Sequence, residues 1–223
     1  MLGAVVEVHP VKWPKGVEPN GAIAFVDRDG VLNIGSPNYI NNPDELIVLK
    51  GAAETIAELK RLGFMVCIVT NQSAIFRELW DEERLHEIHN ELSRIMLTTD
   101  SDAFIDLIIT CPHRQFDRCS CRKPMPGMLY LGDKILRGDM VLPLKLNKNV
   151  AIPIEATKIN WWKDKPTPVH ELDLIVGDRK SDLGAGWGFG TRLFKVREHI
   201  GIVEVKDRLL DAQDNGDFFR PVR

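Results

Sequence analysis

Residues 22–30 read Ala-Ile-Ala-Phe-Val-Asp-Arg-Asp-Gly, five apolar side chains running straight into two acids and a glycine. An apolar run this short, without alternation, predicts a strand buried on both faces of a parallel sheet. Asp27 and Asp29 lie one residue apart at its end, before a turn that Gly30 permits, so both carboxylates can face one site. In open α/β sheets, ligands bind beyond the carboxyl ends of strands, and the polar residues at those ends are the ones to follow. Taken alone, D-x-D-G is also an ordinary polar turn. An EF-hand fails because the third oxygen ligand, the glycine and the distal Glu are out of register.

The flanking chain repeats the pattern. Residues 64–69 are a second apolar run, and 105–109, 172–176 and 191–196 are further strand candidates. Ala52, Ile56, Leu59 and Leu62 recur near helical spacing over 51–62, with Gly63 as a stop. Leu85, Ile88, Leu92 and Ile95 do the same over 81–97, behind an acidic start that suits the helix dipole. A proline-led helix is predicted over 126–137. Strands alternating with helices argue for an α/β, three-layer, doubly wound parallel sheet. Residues 1–20 read as an arm before a single domain over 21–223. Residues 138–170, with four prolines and the pair Trp161–Trp162, break the period. They read as an insertion of irregular or short β structure, its tryptophans a packed flap.

The other strand ends are equally polar. Thr70-Asn71-Gln72-Ser73 follows the second strand, and hydroxyls and backbone N–H groups there can hold phosphate oxygens. Asp178, after the fourth strand, can add a magnesium ligand, with Asp182 behind it as acceptor for metal-bound water and Arg179 beside them. Acids capping a helix would look the same. Arg122 and Lys123, before Pro124, can neutralise phosphoryl charge. In such a set one carboxylate attacks phosphorus and the other handles protons.

In order, DRDGVLN, TNQS, RKP and GDRKSD resemble the four motifs of haloacid dehalogenase phosphatases, over roughly residues 22–197. The resemblance implies a Rossmann-like fold with Asp27 as nucleophile, passing through an aspartyl-phosphate, and Asp29 as general acid and base. Thr70 and Lys123 would stabilise the transferred group. Mg²⁺ would be held by Asp27, the backbone carbonyl of Asp29, and Asp178. Asn71, Gln72, Ser73 and Arg122 would bind substrate.

Cys111, His113, Cys119 and Cys121 fall within one short segment. Three thiolates and one imidazole complete a tetrahedral zinc site with no open position, hence a structural one. The remaining histidines, including His9, His86 and His89, read as surface or packing residues. A zinc loop running into Arg122-Lys123 resembles the branch of D-glycero-D-manno-heptose-1,7-bisphosphate 7-phosphatases and histidinol-phosphatases, compact enzymes with no large cap domain. NQSAIFR resembles the NQSGIAR pattern of the heptose group, so Arg77 matches its substrate-holding arginine; Ala74 stands where that pattern has glycine. The short His113-to-Cys119 interval is closer to the histidinol-phosphatases.

Bulk properties agree with these readings. The 223 residues are 44% hydrophobic and 27% charged, as in folded globular chains. A net charge of −3 argues against nucleic-acid partners, including a nucleic-acid end phosphatase. Retention of Asp27, Asp29, Lys123 and Asp178 argues against a non-catalytic binding protein. Clustered cysteines, no signal-peptide pattern and no membrane-length apolar stretch lead to the expectation of a cytoplasmic enzyme of a small phosphorylated metabolite. The sequence leaves oligomeric state open, and a monomer is compatible with it.

Overall fold

The computed structural model describes residues 3–221. Its strands are β1 (Ala4–Val8), β2 (Ile23–Val26), β3 (Met65–Asn71), β4 (Leu107–Cys111), β5 (Leu146–Val150), β6 (Leu174–Gly177) and β7 (Arg192–Lys195). The helices are α1 (Ala52–Arg61), α2 (Glu82–Thr99), α3 (Gly127–Leu136), α4 (Lys180–Phe189) and α5 (Lys206–Leu210). One sheet runs in the order β5-β1-β4-β3-β2-β6-β7. Pairing is parallel from β4 to β7, and antiparallel where β1 meets β4 and β5.

Strand β2 sits inside the parallel set, and all of its residues are buried. Because successive side chains point to opposite faces, Ala24 and Val26 join a core with α1 and α2, contributed by Ile56, Leu59, Ile88 and Leu92. Ile23 and Phe25 join a second core with α3 and α4, contributed by Leu129, Leu131, Leu183 and Trp187. Helices thus cover both faces, giving the three-layer α/β sheet expected. From β2 the chain adds β3 and β4 on one side, then β6 and β7 on the other. That reversal opens a crevice at the carboxyl end of β2.

Local signals set the helix ends. The Asp81 side chain accepts from the Arg84 N–H at 2.9 Å, capping α2. Gly63, just past α1, has φ +83°. A Cβ there would lie 2.5 Å from the Glu18 carbonyl, so the helix stop also serves a close chain crossing.

Ala4–Val8 do not belong to an arm before the domain, as expected over residues 1–20. They form β1, inside the sheet. Glu7 interrupts the apolar pattern and hides the strand from a hydropathy reading. Its carboxylate is buried, facing the Nδ1 atoms of His86 and His89 at 2.6 and 2.5 Å. Part of the insertion supplies β5, the edge strand beyond β1. Trp161 stacks on Trp187 of α4, with ring centroids 5.7 Å apart, whereas Trp162 is 72% exposed. The packed-flap reading therefore applies to one tryptophan of the pair. Among the described residues no helix is long and apolar enough to cross a membrane.

Candidate active site

A cavity of about 810 Å³ opens at the carboxyl ends of β2, β3 and β6. Asp27, Asp29, Thr70, Asn71, Gln72, Ser73, Arg122, Lys123, Asp178, Arg179 and Asp182, all singled out from the sequence, line it together. Arg77 is the exception. It is exposed on the short 3₁₀ turn Ile75–Arg77 and does not line the cavity.

Asp27 follows β2 directly, and its N–H donates to the Val176 carbonyl of β6 at 3.0 Å. One carboxylate oxygen lies 2.9 Å from Lys123 Nζ, and the same ammonium is 2.7 Å from Asp182 Oδ1. Lys123 also donates to the Val69 carbonyl at 2.8 Å. Burial pushes the Asp27 carboxyl up to about 7; Lys123 opposes the shift and Asp182 adds to it. Burial works against the Lys123 ammonium, yet Asp182 and Asp27 outweigh it and raise its pKa. One cation is thus fixed among carboxylates, where a phosphoryl group would bring further negative charge.

Carboxylate oxygens of Asp27, Asp178 and Asp182 all lie within 4.8 Å of one another. Burial, followed by the Asp182 charge, raises the Asp178 carboxyl. Asp178 Oδ1 is buried without a hydrogen-bond partner among the described residues. A hard divalent cation takes oxygen ligands of this kind, so the donor set fits magnesium. Gly30, at φ +77°, lets the first loop approach closely, since a Cβ there would lie 2.9 Å from Asp178 Oδ2.

The Asp29 side chain belongs to a different set of partners. It accepts from Arg28 Nε and Nη2 at 3.1 and 2.9 Å, from Asn33 Nδ2 at 2.9 Å and from Gln72 Nε2 at 2.7 Å. Burial would raise its pKa, but Arg28 and the amide donors outweigh that and hold it below the usual carboxylate value. Gln72 also donates to Thr70 Oγ1 at 3.0 Å, and Ser73 Oγ meets the Tyr39 hydroxyl at 3.0 Å. Asn71 clamps the backbone of Lys123, donating to its carbonyl and accepting from its N–H, each at 3.2 Å. Asn71 is thus engaged with the lysine's main chain as well as with the cavity.

The thiol cluster sits at the end of β4. Sulfur atoms of Cys111, Cys119 and Cys121 lie 3.2–3.6 Å apart, and His113 Nδ1 is 3.4 and 3.1 Å from Cys111 and Cys121 Sγ. A tetrahedron with metal–sulfur bonds of about 2.3 Å has edges only slightly longer, so the donors fit zinc. Burial pushes the Cys111 thiol up to about 12, the Cys111 and Cys119 sulfurs raise Cys121, and the Cys111 and Cys121 sulfurs lower Cys119. A bound cation would relieve the crowding of three thiolates. Arg122, next in the chain, donates to the His113 carbonyl at 2.8 Å.

Other residues at the site escaped the sequence reading. Asn33 stands inside the quoted DRDGVLN, and its spacing from Asp29 was the available signal. Gln115 and Arg118, lying between the expected zinc ligands His113 and Cys119, and Glu198, after β7, also line the cavity. His89, buried, and His86, partly exposed, fit the expectation of packing and surface residues, but their shared contact with Glu7 behind the Asp29 loop was not foreseen.

No protein-family model matches the chain. The D-glycero-beta-D-manno-heptose-1,7-bisphosphate 7-phosphatase of Bordetella bronchiseptica is 40% identical over 106 residues, 48% of this chain and 58% of that protein. The protein of the same name from Haemophilus influenzae is 35% identical over 170 residues, 74% of each chain. The chain therefore spans less than two thirds of the first relative and about three quarters of the second. A crystal structure of D,D-heptose 1,7-bisphosphate phosphatase from B. bronchiseptica, complexed with magnesium and phosphate, matches at TM-score 0.60. Identity there is 29%, over 84% of this chain and 86% of that one.

Proposed function

Because the chain belongs to the D-glycero-β-D-manno-heptose-1,7-bisphosphate 7-phosphatase family of haloacid dehalogenase-like phosphatases, we propose that it hydrolyses a small phosphomonoester through Asp27. The observation that carries this reading is the convergence of Asp27, Thr70, Lys123 and Asp178 on one cavity. Asp27, Asp178 and the backbone carbonyl of Asp29 would hold Mg²⁺, which when bound withdraws charge from the phosphoryl oxygens.

The chain's own groups divide the remaining work. An Asp27 oxygen attacks phosphorus while the ester P–O bond breaks, and the departing alcohol oxygen takes a proton from Asp29, whose carboxyl carries that proton only once one of its N–H donors, Gln72 or Asn33, has withdrawn. Water then gives a proton to the Asp29 carboxylate as its oxygen attacks phosphorus, and the Asp27–phosphorus bond breaks to release phosphate. Lys123 and Thr70 face the phosphoryl oxygens and offset their charge. Arg179 and Asp182 hold the surrounding charges in place. Gln72, Ser73 and Arg122 line the path of the substrate, and Asn71 fixes Lys123. Cys111, His113, Cys119 and Cys121 would hold zinc, which when bound would order the loop leading into Arg122 and Lys123.

Heptose 1,7-bisphosphate is the first substrate to try, given the relatives' names. Histidinol phosphate is second, on the short interval between His113 and Cys119. A panel of phosphate esters with Mg²⁺ should show release of phosphate by the wild type. Asp27→Asn should fall by at least about 10³-fold. If both proteins are inert toward the whole panel, the assignment is wrong.

A further inference from the structure

Arg28 is fully buried, yet it lies between two acids rather than in the cavity. Its Nε and Nη2 form a fork on the two oxygens of Asp29. Its remaining terminal nitrogen, Nη1, is 3.2 Å from Nε2 of His89 on α2. His89 Nδ1 in turn lies 2.5 Å from Glu7 Oε1 on β1. The other oxygen of Glu7 is 2.6 Å from Nδ1 of His86, at the partly exposed end of the chain of contacts. Glu7 itself is 1% exposed.

Hydrogen-bond direction gives this arrangement a meaning. A carboxylate can only accept, so the proton of a neutral His89 sits on Nδ1 and its Nε2 lone pair faces the Arg28 N–H. Burial and the Arg28 charge both favour that neutral form. With the other tautomer, two N–H groups would point at each other across the contact. Glu7 therefore orients an acceptor that pins the far side of a planar guanidinium. The near side of the same plane holds the Asp29 carboxylate in a bidentate pair. A proton donor must lie within about 3 Å of its target, and a misplacement of about 1 Å can cost about 10²-fold in rate.

We propose that Glu7 and His89 are positioning residues for the Asp29 carboxylate, acting through Arg28, so that the N-terminal strand is part of the proton-transfer apparatus. The proposal rests on the reading of Asp29 as general acid and base. A purely structural alternative, in which Glu7 merely neutralises buried Arg28, predicts a lower yield of folded enzyme but the same chemistry per molecule.

The discriminating measurement is a ratio. In this two-step scheme kcat/KM includes only steps up to departure of the alcohol. An alkyl phosphate needs a proton on its leaving oxygen, whereas 4-nitrophenyl phosphate expels a stable phenolate without one. A change in the fraction of folded enzyme cancels in the ratio of the two kcat/KM values. For Glu7→Gln and His89→Leu, kcat/KM should fall by about 10–100-fold on the best alkyl ester of the panel and by no more than about threefold on the aryl ester. His89→Gln, whose amide offers an acceptor to Arg28 and a donor to Glu7, should recover most of the loss. Ratios within about twofold of wild type for both Glu7→Gln and His89→Leu overturn the proposal alone. A wild type inert toward both esters removes the reading of Asp29, and the proposal with it.

Discussion

Two clusters of metal-seeking side chains lie close together here, and they are built in opposite ways. The thiol cluster comes from one loop, residues 111–121, and brings three sulfurs and an imidazole together with no protein cation among them. The acidic cluster comes from the ends of β2 and β6 and the first turn of α4, with Asp27 far from the others in the chain, and already contains Lys123. A set of thiols gathered by a short loop has little besides a metal to hold it closed. A set of carboxylates placed by the sheet has its shape before any metal arrives, and its internal lysine reduces the repulsion. The first cluster should therefore be needed for folding, the second for turnover.

The most damaging test falls on the thiol side. A structural zinc supplies on the order of 10 kcal/mol. Cys121→Ser, or a high-affinity zinc chelator, should lower Tm by at least about 10 °C and abolish turnover, because Arg122 and Lys123 follow directly. A thermal scan with Tm unmoved would erase the contrast between the two clusters. Asp178→Asn should instead leave Tm within a few degrees of wild type and raise the magnesium concentration for half-maximal activity by about 10–100-fold. Magnesium titration of the initial rate reads this out; an unchanged requirement would remove Asp178 from the ligand set.

Titration probes the same difference more gently. Asp27 has a folded pKa of about 7 against a reference of 3.8. Between those values Asp27 holds more protons in the folded state than in the unfolded one, so its contribution to stability is greatest at low pH and is lost as pH rises through about 7. Metal-free protein should show this decline between about pH 4 and pH 7, and Asp27→Asn should flatten it. Denaturant midpoints across that range give the slope. The smallest effect is expected at Arg77. Exposed and outside the cavity, it should tolerate Arg77→Ala with kcat/KM within about twofold; a tenfold rise in KM would mean that substrate reaches beyond the cavity.

Much of the molecule was legible in advance, and the reason differs by region. The inner parallel strands announced themselves as short, mostly apolar runs, because burial on both faces leaves no room for alternation, whereas the edge strand β7 carries Arg192 and Lys195. The cavity residues were legible because chemistry collects where those runs stop. The thiol cluster was legible because Cys111, His113, Cys119 and Cys121 are neighbours in sequence. Strand β1 was not. Glu7 between valines looks like an exposed residue, and only the imidazoles of His86 and His89 make its burial tolerable. Arg77 is the converse case: it stands at the motif position, yet it is exposed on the turn Ile75–Arg77 and is not among the residues that line the cavity.

The sequence by itself determined the parallel α/β sheet, the polar strand ends and the thiol loop, because each is written in residues close together along the chain. Only the tertiary structure decided that Ala4–Val8 enter the sheet antiparallel to β4. It alone showed that Asp27 and Asp29, one residue apart, face different partners, Lys123 on one side and Arg28 on the other. Those outcomes depend on contacts between segments distant in the chain. No local pattern of hydropathy or spacing can state which buried charge will find which partner.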